Sequence, residues 1–305
     1  MRVALAQIES IPGDLKANIV RHIQQIQQAI SDGAELIVFP ELGLTGDRIG
    51  LDIPDVSLSR ESEELQPIAD ASRKIDIVIG LAERGLVSHY NRYNSAFYYA
   101  EGSLLYRHRK LFLVNYSVFE EAKHYVPGNN LQAFDGRLGR LCLLVCNDMW
   151  HASAPYIGAL DGAEFLITPS ASARGTLKDH LDIPQTWDHM IRAYSGMMGF
   201  YTVFVNRVGV RKDPEGDHIY WGGSAIIDPR GEVVVQAPYD EEALVYGEVD
   251  LEQVAQQRFK APILRDARLW ILRQEINRLA AERTDEKGEG SDPASLQADK
   301  AEPIL

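Results

Sequence analysis

Short apolar runs alternate with stretches of helical spacing along most of the chain. Residues 3–7 read as a strand. Residues 15–30 place Ile19, Ile23, Ile26 and Ile30 at intervals of three and four, which predicts an amphipathic helix, and Asp32-Gly33 ends it. Residues 36–39 form a continuous apolar run closed by Pro40, the pattern of a buried strand. Residues 61–74 predict a second helix and 75–81 a strand. Residues 94–100 and 104–109 flank Glu101-Gly102, a hairpin signal. Further strands are predicted at 141–145, 164–168, 201–206 and 244–249, and helices at 153–161, 182–199 and 264–281. A second hairpin pairs 224–228 with 232–236 across Pro229-Arg230-Gly231.

Strands and helices mixed along the whole length predict an α/β protein with helices outside a sheet core. Both βα units and hairpins occur, so the sheets should be mixed. No repeat or linker interrupts residues 1–281, which predicts one domain. Residues 282–305 are rich in Asp, Glu, Lys, Ser, Gly and Ala, which predicts a polar, flexible C-terminal tail.

Composition narrows the field. Of 305 residues, 45% are hydrophobic and 25% charged, enough apolar material for a large core without disulfides. The net charge of −13 repels phosphate backbones and anionic headgroups. The densest basic stretch, Tyr106-Arg107-His108-Arg109-Lys110, is too short to track a nucleic acid. No run approaches the ~18 apolar residues of a membrane span, and no apolar leader follows Met1, so a cytoplasmic protein is expected. The two cysteines, Cys142 and Cys146, fit a reducing compartment.

Three segments share one design, an apolar strand ending in a reactive polar residue. Residues 36–41 deliver the Glu41 carboxylate, 105–110 the Lys110 amine, and 141–146 the Cys146 thiol. Active groups gather at strand ends, where a rigid scaffold meets open loops. A polar turn, Asn147-Asp148-Met149-Trp150, follows Cys146, so its sulfur sits at an edge. Cys142 lies four residues earlier, ~13 Å away along a strand. That is too far for a disulfide or shared zinc ligation, so Cys142 reads as core. Amide hydrolysis needs a nucleophile, a proton shuttle and a group to stabilise an oxyanion, and thiol, carboxylate and ammonium supply these.

The same segments resemble the nitrilase superfamily of carbon–nitrogen hydrolases. The Glu motif stands as Phe39-Pro40-Glu41-Leu42-Gly43-Leu44-Thr45-Gly46, the Lys motif as Arg109-Lys110-Leu111, and the Cys motif as Val145-Cys146-Asn147-Asp148-Met149-Trp150. Phe119-Glu120-Glu121 resembles the segment of the second glutamate, for which Glu121 fits better than Glu120. Arg192-Ala193 before Val205-Asn206-Arg207-Val208-Gly209, and Gly222-Gly223-Ser224 with Asp228-Pro229-Arg230-Gly231, extend the likeness over roughly residues 2–250.

The resemblance implies a four-layer αββα sandwich, two mixed sheets between outer helices, paired into homodimers or larger homo-oligomers. It implies that Cys146 attacks a carbonyl carbon to form a thioester, releasing ammonia or an amine. Glu41 is then the base, Lys110 and the Asn147 N–H hold the oxyanion, and Glu121 orients Lys110 or the leaving amine. It implies no metal and no organic cofactor. The Cys-Asn-Asp-Met-Trp sequence departs from the nitrile-cleaving pattern. It favours a small amide substrate, with an N-carbamoyl amine or a glutamine-like amide as alternatives. Trp150 and Arg174 are candidate substrate-binding residues, Arg174 as a bidentate partner for a carboxylate. A scaffold or a redox-sensing thiol protein is the alternative outside enzymes; the presence of Glu41, Lys110 and Cys146 argues against the scaffold, and Cys142, too far along its strand to act as a resolving cysteine, against the sensor.

Overall fold

The computed structural model describes residues 1–47, 50–116, 119–175, 181–212 and 217–286, the last three of these as backbone. The polar tail expected from residue 282 lies, from 287 onward, outside the described residues. Contacts group the chain into Met1–Leu264 and a second unit from Arg265 onward.

In chain order the elements begin with β1 (Arg2–Gln7), α1 (Leu15–Ser31), β2 (Leu36–Val38), α2 (Ile53–Val56), α3 (Gln66–Ala71) and β3 (Asp76–Arg84). There follow β4 (Arg92–Ala100), β5 (Ser103–Arg109), β6 (Phe134–Gly136), β7 (Gly139–Leu143), α4 (Ser153–Leu160) and β8 (Phe165–Ser170). Next come β9 (Ala173–Arg174), α5 (Ile183–Met198), β10 (Tyr201–Asn206), β11 (Val208–Arg211) and β12 (His218–Trp221). The chain continues through β13 (Ala225–Ile227), β14 (Val233–Gln236), β15 (Ala243–Glu248), α6 (Leu251–Lys260) and α7 (Leu269–Glu286).

Two six-stranded sheets form, in the orders β15-β1-β2-β3-β4-β5 and β14-β13-β10-β8-β7-β6. In the first, β1, β2 and β3 run parallel, and in the second β7, β8 and β10 do; all other neighbours are antiparallel. Alternation along the strands sorts side chains into layers. Val3, Leu5, Leu36 and Val38 share a core with Leu143 and Ile167 of the other sheet. Ala4, Ala6, Ile37 and Phe39 instead pack with Ile26 and Ala29 of α1 and Ile68 of α3. On the far side Ala154, Ile183, Trp187 and Ile191 of α4 and α5 cover the second sheet. This is the expected helix–sheet–sheet–helix sandwich.

α1 begins where expected, because the Asp14 carboxylate accepts the Ala17 N–H and caps the helix. The helix predicted at 61–74 is shorter than its pattern. A 3-10 turn, Glu63–Leu65, leads into α3 with Pro67 in the first turn, where a missing N–H costs nothing. The last helix starts at Leu269 rather than 264. The small sheet β11-β12-β9 and helix α6 had no strong periodic signal.

Candidate active site

The first sheet ends in a tight loop that carries Glu41. Leu42 takes φ 50°, and Gly80 on β3 leaves room for the loop, since a Cβ there would come within 2.4 Å of the Pro40 carbonyl oxygen. Glu41 is buried and its carboxylate is fully engaged. Oε1 accepts from Asn94 Nδ2 at 2.7 Å and Lys110 Nζ at 2.8 Å, and Oε2 accepts from the Ala171 N–H at 2.7 Å.

Lys110 follows β5 directly. Its backbone donates to Asn94 O and accepts from Gly128 N, where any larger residue would collide with the Arg109 carbonyl. Its ammonium, 1% exposed, binds Glu41 Oε1 and Glu121 Oε1 at 2.8 Å each. Burial opposes this charge, but Glu121 and Glu41 outweigh it and hold the ammonium well above its ordinary pKa. Glu121 opens a short 3-10 turn, and the Val114 N–H fixes its Oε2 at 2.7 Å. Burial, with Glu41 nearby, raises the Glu121 pKa against the pull of Lys110.

The second sheet delivers Cys146 past the end of β7, at the start of the 3-10 turn Cys146–Trp150. Its φ of 44° is a left-handed conformation that a residue with a Cβ adopts at a cost of order 1–3 kcal/mol. Asp148 holds the turn in place. Its Oδ1 accepts from the N–H groups of Leu111 and Phe112, and its Oδ2 from the Val145 N–H at 2.9 Å and His108 Nε2 at 2.8 Å. One buried carboxylate thus ties the lysine segment to the cysteine turn. Burial and the Glu41 charge push the Cys146 thiol well above its usual pKa, while Lys110 and the Ala171 N–H pull it down. Among the charged groups, the Glu41 carboxylate bears on this thiol most strongly.

A cavity of about 260 Å³ opens over these groups, lined among others by Glu41, Lys110, Glu121, Cys146, Asn147 and Trp150. It has room for a small molecule. The Asn147 side chain donates to Phe112 O at 2.9 Å. Trp150 stands edge-on to the buried Trp187, ring centres 6.0 Å apart. Arg174 is not among the lining residues, and its guanidinium pairs with Asp240 at the surface. The sequence pattern singled out Arg174 because its charge is visible, whereas its partner lies 66 residues away. Besides Lys110, the cavity lining includes the guanidinium of Arg211, whose Nη1 donates to Asp47 O at 2.6 Å. Tyr116, His124 and Tyr220 also line it unforeseen. Asp47 makes a buried pair with Arg207 and accepts from the Tyr220 hydroxyl. Cys142 is buried beneath α4, and desolvation pushes its thiol up to about 12. Among the described residues no group of three or more His, Cys, Asp or Glu is placed to hold a metal.

The sequence pattern of the family described as carbon–nitrogen hydrolase matches residues 2–259. The glutamine-dependent NAD(+) synthetase of Acinetobacter baylyi is 30% identical over 256 residues, covering 83% of this chain and 44% of that one. The chain therefore spans less than half of the synthetase. The omega-amidase NIT2 of Mus musculus is 28% identical over 282 residues, covering 88% of this chain and 95% of the other. Among solved structures, a carbon–nitrogen hydrolase from Helicobacter pylori superposes with a TM-score of 0.80 at 25% identity, over 90% of this chain and 98% of that one. The chain belongs to the carbon–nitrogen hydrolase family, and it is an enzyme of that class.

Proposed function

We propose that the chain hydrolyses the C–N bond of a small carboxamide through a Cys146 thioester. The single observation that carries this is the convergence of Glu41, Lys110, Glu121 and Cys146 on one cavity, with Lys110 hydrogen-bonded to both carboxylates at 2.8 Å. Relatives named for amidase and glutamine-dependent activity support an amide over a nitrile.

In this reading Glu41 takes the thiol proton and the sulfur attacks the carbonyl carbon. Lys110 and the Asn147 N–H receive the developing oxyanion. The intermediate collapses as Glu41 returns the proton to the leaving nitrogen, so ammonia or an amine departs and a thioester remains. Water then gives its proton to Glu41 and attacks the thioester, releasing the acid and the thiol. Glu121 holds Lys110 in place. Trp150 walls the substrate, and Arg174 is set aside as its anchor. We also place the enzyme in the cytoplasm and pair it into a homodimer; the half-exposed Ile157 and Met197 on the outer helices support the pairing.

The test follows ammonia release and intact mass together, over carboxamides, N-carbamoyl amines and nitriles, with Cys146→Ala as control. Ammonia release lost in the variant, with an acyl adduct on the parent, supports the thioester route, and the best substrate names the branch. Turnover that survives in Cys146→Ala would overturn it.

A further inference from the structure

Glu41 and Glu121 share one buried ammonium, so the cluster carries one negative charge more than Lys110 offsets. Two close carboxylates in such a place share a proton unless another donor holds them apart. The second donor is Asn94, from the start of β4. Its Nδ2 lies 2.7 Å from Glu41 Oε1 and 3.5 Å from Glu121 Oε1, the same two oxygens that Lys110 binds. Its backbone carbonyl accepts the Lys110 N–H at 2.8 Å. Asn94 thus touches all three charged residues.

The opposite end of this amide strengthens the point. Asn94 is 1% exposed, and its Oδ1 has no hydrogen-bond partner among the described residues. A buried acceptor left unpaired is unfavourable, and turning the amide over would aim that oxygen at two carboxylates. The strained choice is the one that keeps N–H toward Glu41. With Oε1 held by two donors, Oε2 is the oxygen left on the thiol side, because the Ala171 N–H meets both it and the Cys146 sulfur.

We propose that Asn94 is a positioning residue that keeps Glu41 and Glu121 ionised together around Lys110 and presents Glu41 Oε2 to the thiol. This rests on Glu41 acting as the base. The titratable groups facing the pair are Lys110 from the end of β5, Cys146 from its turn, and the Tyr116 and Tyr125 hydroxyls from the segment after β5.

The experiment needs no substrate. The alkylation rate of Cys146 by iodoacetamide is followed by intact mass from pH 5 to 9 in the full chain, for the parent, Asn94→Ala and the isosteric Asn94→Asp. In the parent the rate should fall on the acid side as the carboxylate cluster takes up a proton. In Asn94→Ala that limb should move to higher pH and the rate at pH 7 should drop roughly ten- to hundredfold, the worth of a hydrogen bond to a charged group. Asn94→Asp, which keeps the volume but replaces the donor with a third acid, should be slower still at pH 7. A limb that stays in place in Asn94→Ala, or parental rates in Asn94→Asp, would overturn the proposal. The readout depends only on the thiol, so it stands apart from whether a carboxamide is turned over. Where Asn94→Ala does not fold, Asn94→Asp alone decides.

Discussion

The two sheets repeat one strand pattern but contribute different chemistry. Each has three parallel strands, an antiparallel strand on one side and an antiparallel hairpin on the other. By position, β1, β2 and β3 of the first answer to β7, β8 and β10 of the second. The first sheet ends β2 with Glu41 and β5 with Lys110, both side-chain charges. The second ends β7 with Cys146 and β8 with Ala171, which acts through its main-chain N–H. In the proposed reaction the first half thus supplies proton and charge handling, and the second the nucleophile and a backbone donor. Even the counterparts Gln7 and Cys146, at the ends of β1 and β7, differ in kind. Gln7 spends its amide on Pro238 O, Glu241 O and Ser224, a structural brace.

The contrast can be broken at its charged end first. Glu41→Gln keeps the shape but removes the base, and turnover should fall roughly 10²–10⁴-fold with the melting temperature little changed. Ammonia release checks it, and near-parental turnover would take the proton-handling role away from the first sheet. Next in size is the clasp between the halves. Arg207, just after β10, is buried against Asp47 from the Glu41 loop. Arg207→Met strands that carboxylate and should cost about 3–5 kcal/mol in urea unfolding. Removing both charges, with Asp47→Leu added, should recover much of the loss.

The smallest effect concerns His22, on α1 behind the Glu41 loop. It is fully buried and stacked on Phe39 at 4.2 Å, and desolvation lowers its pKa to about 4. The unfolded chain binds a proton near pH 6.5, so His22 contributes its full stability above that pH and loses it as the pH falls toward 4. The loss is roughly 3 kcal/mol at pH 4. His22→Phe, which keeps the stack, should flatten the acid side of a stability–pH curve, and an unchanged curve would assign the acid sensitivity elsewhere.

What the sequence disclosed follows the same division. Glu41 and Cys146 stand out because each is a lone reactive group closing an apolar run, and Lys110 because it leads from a strand into the apolar Leu111-Phe112-Leu113. Asn94 carries no charge to mark it, although Asn94-Ser95 sets two adjacent polar residues directly before the apolar run 96–100 of β4. Adjacent strand residues face opposite sides, so two neighbouring polar side chains in a buried strand signal that both sides have partners; Ser95 indeed binds Glu83 at 2.7 Å. Ala171 could not be found this way, since a main-chain donor leaves no mark on residue identity. Asp148 shows in the sequence only as part of a motif, and three of its four donors come from residues 108–112, far from it in the chain. Arg174 shows the reverse error, a visible charge whose partner is distant in the chain. The 61–74 helix was overcalled because the apolar spacing continues through Pro67 and the 3-10 turn.

One consequence of the first sheet concerns its making. β15 completes that sheet against β1, with Arg2 opposite Glu248. β1 to β5 are synthesised long before residues 243–248 leave the ribosome. Until then the outer edge of β1 offers unpaired N–H and C=O groups beside an apolar strand, a template for pairing with another nascent chain. The sheet that carries Glu41 and Lys110 is therefore the one that waits for its last strand, and a chaperone that shields one strand edge would matter most during that interval.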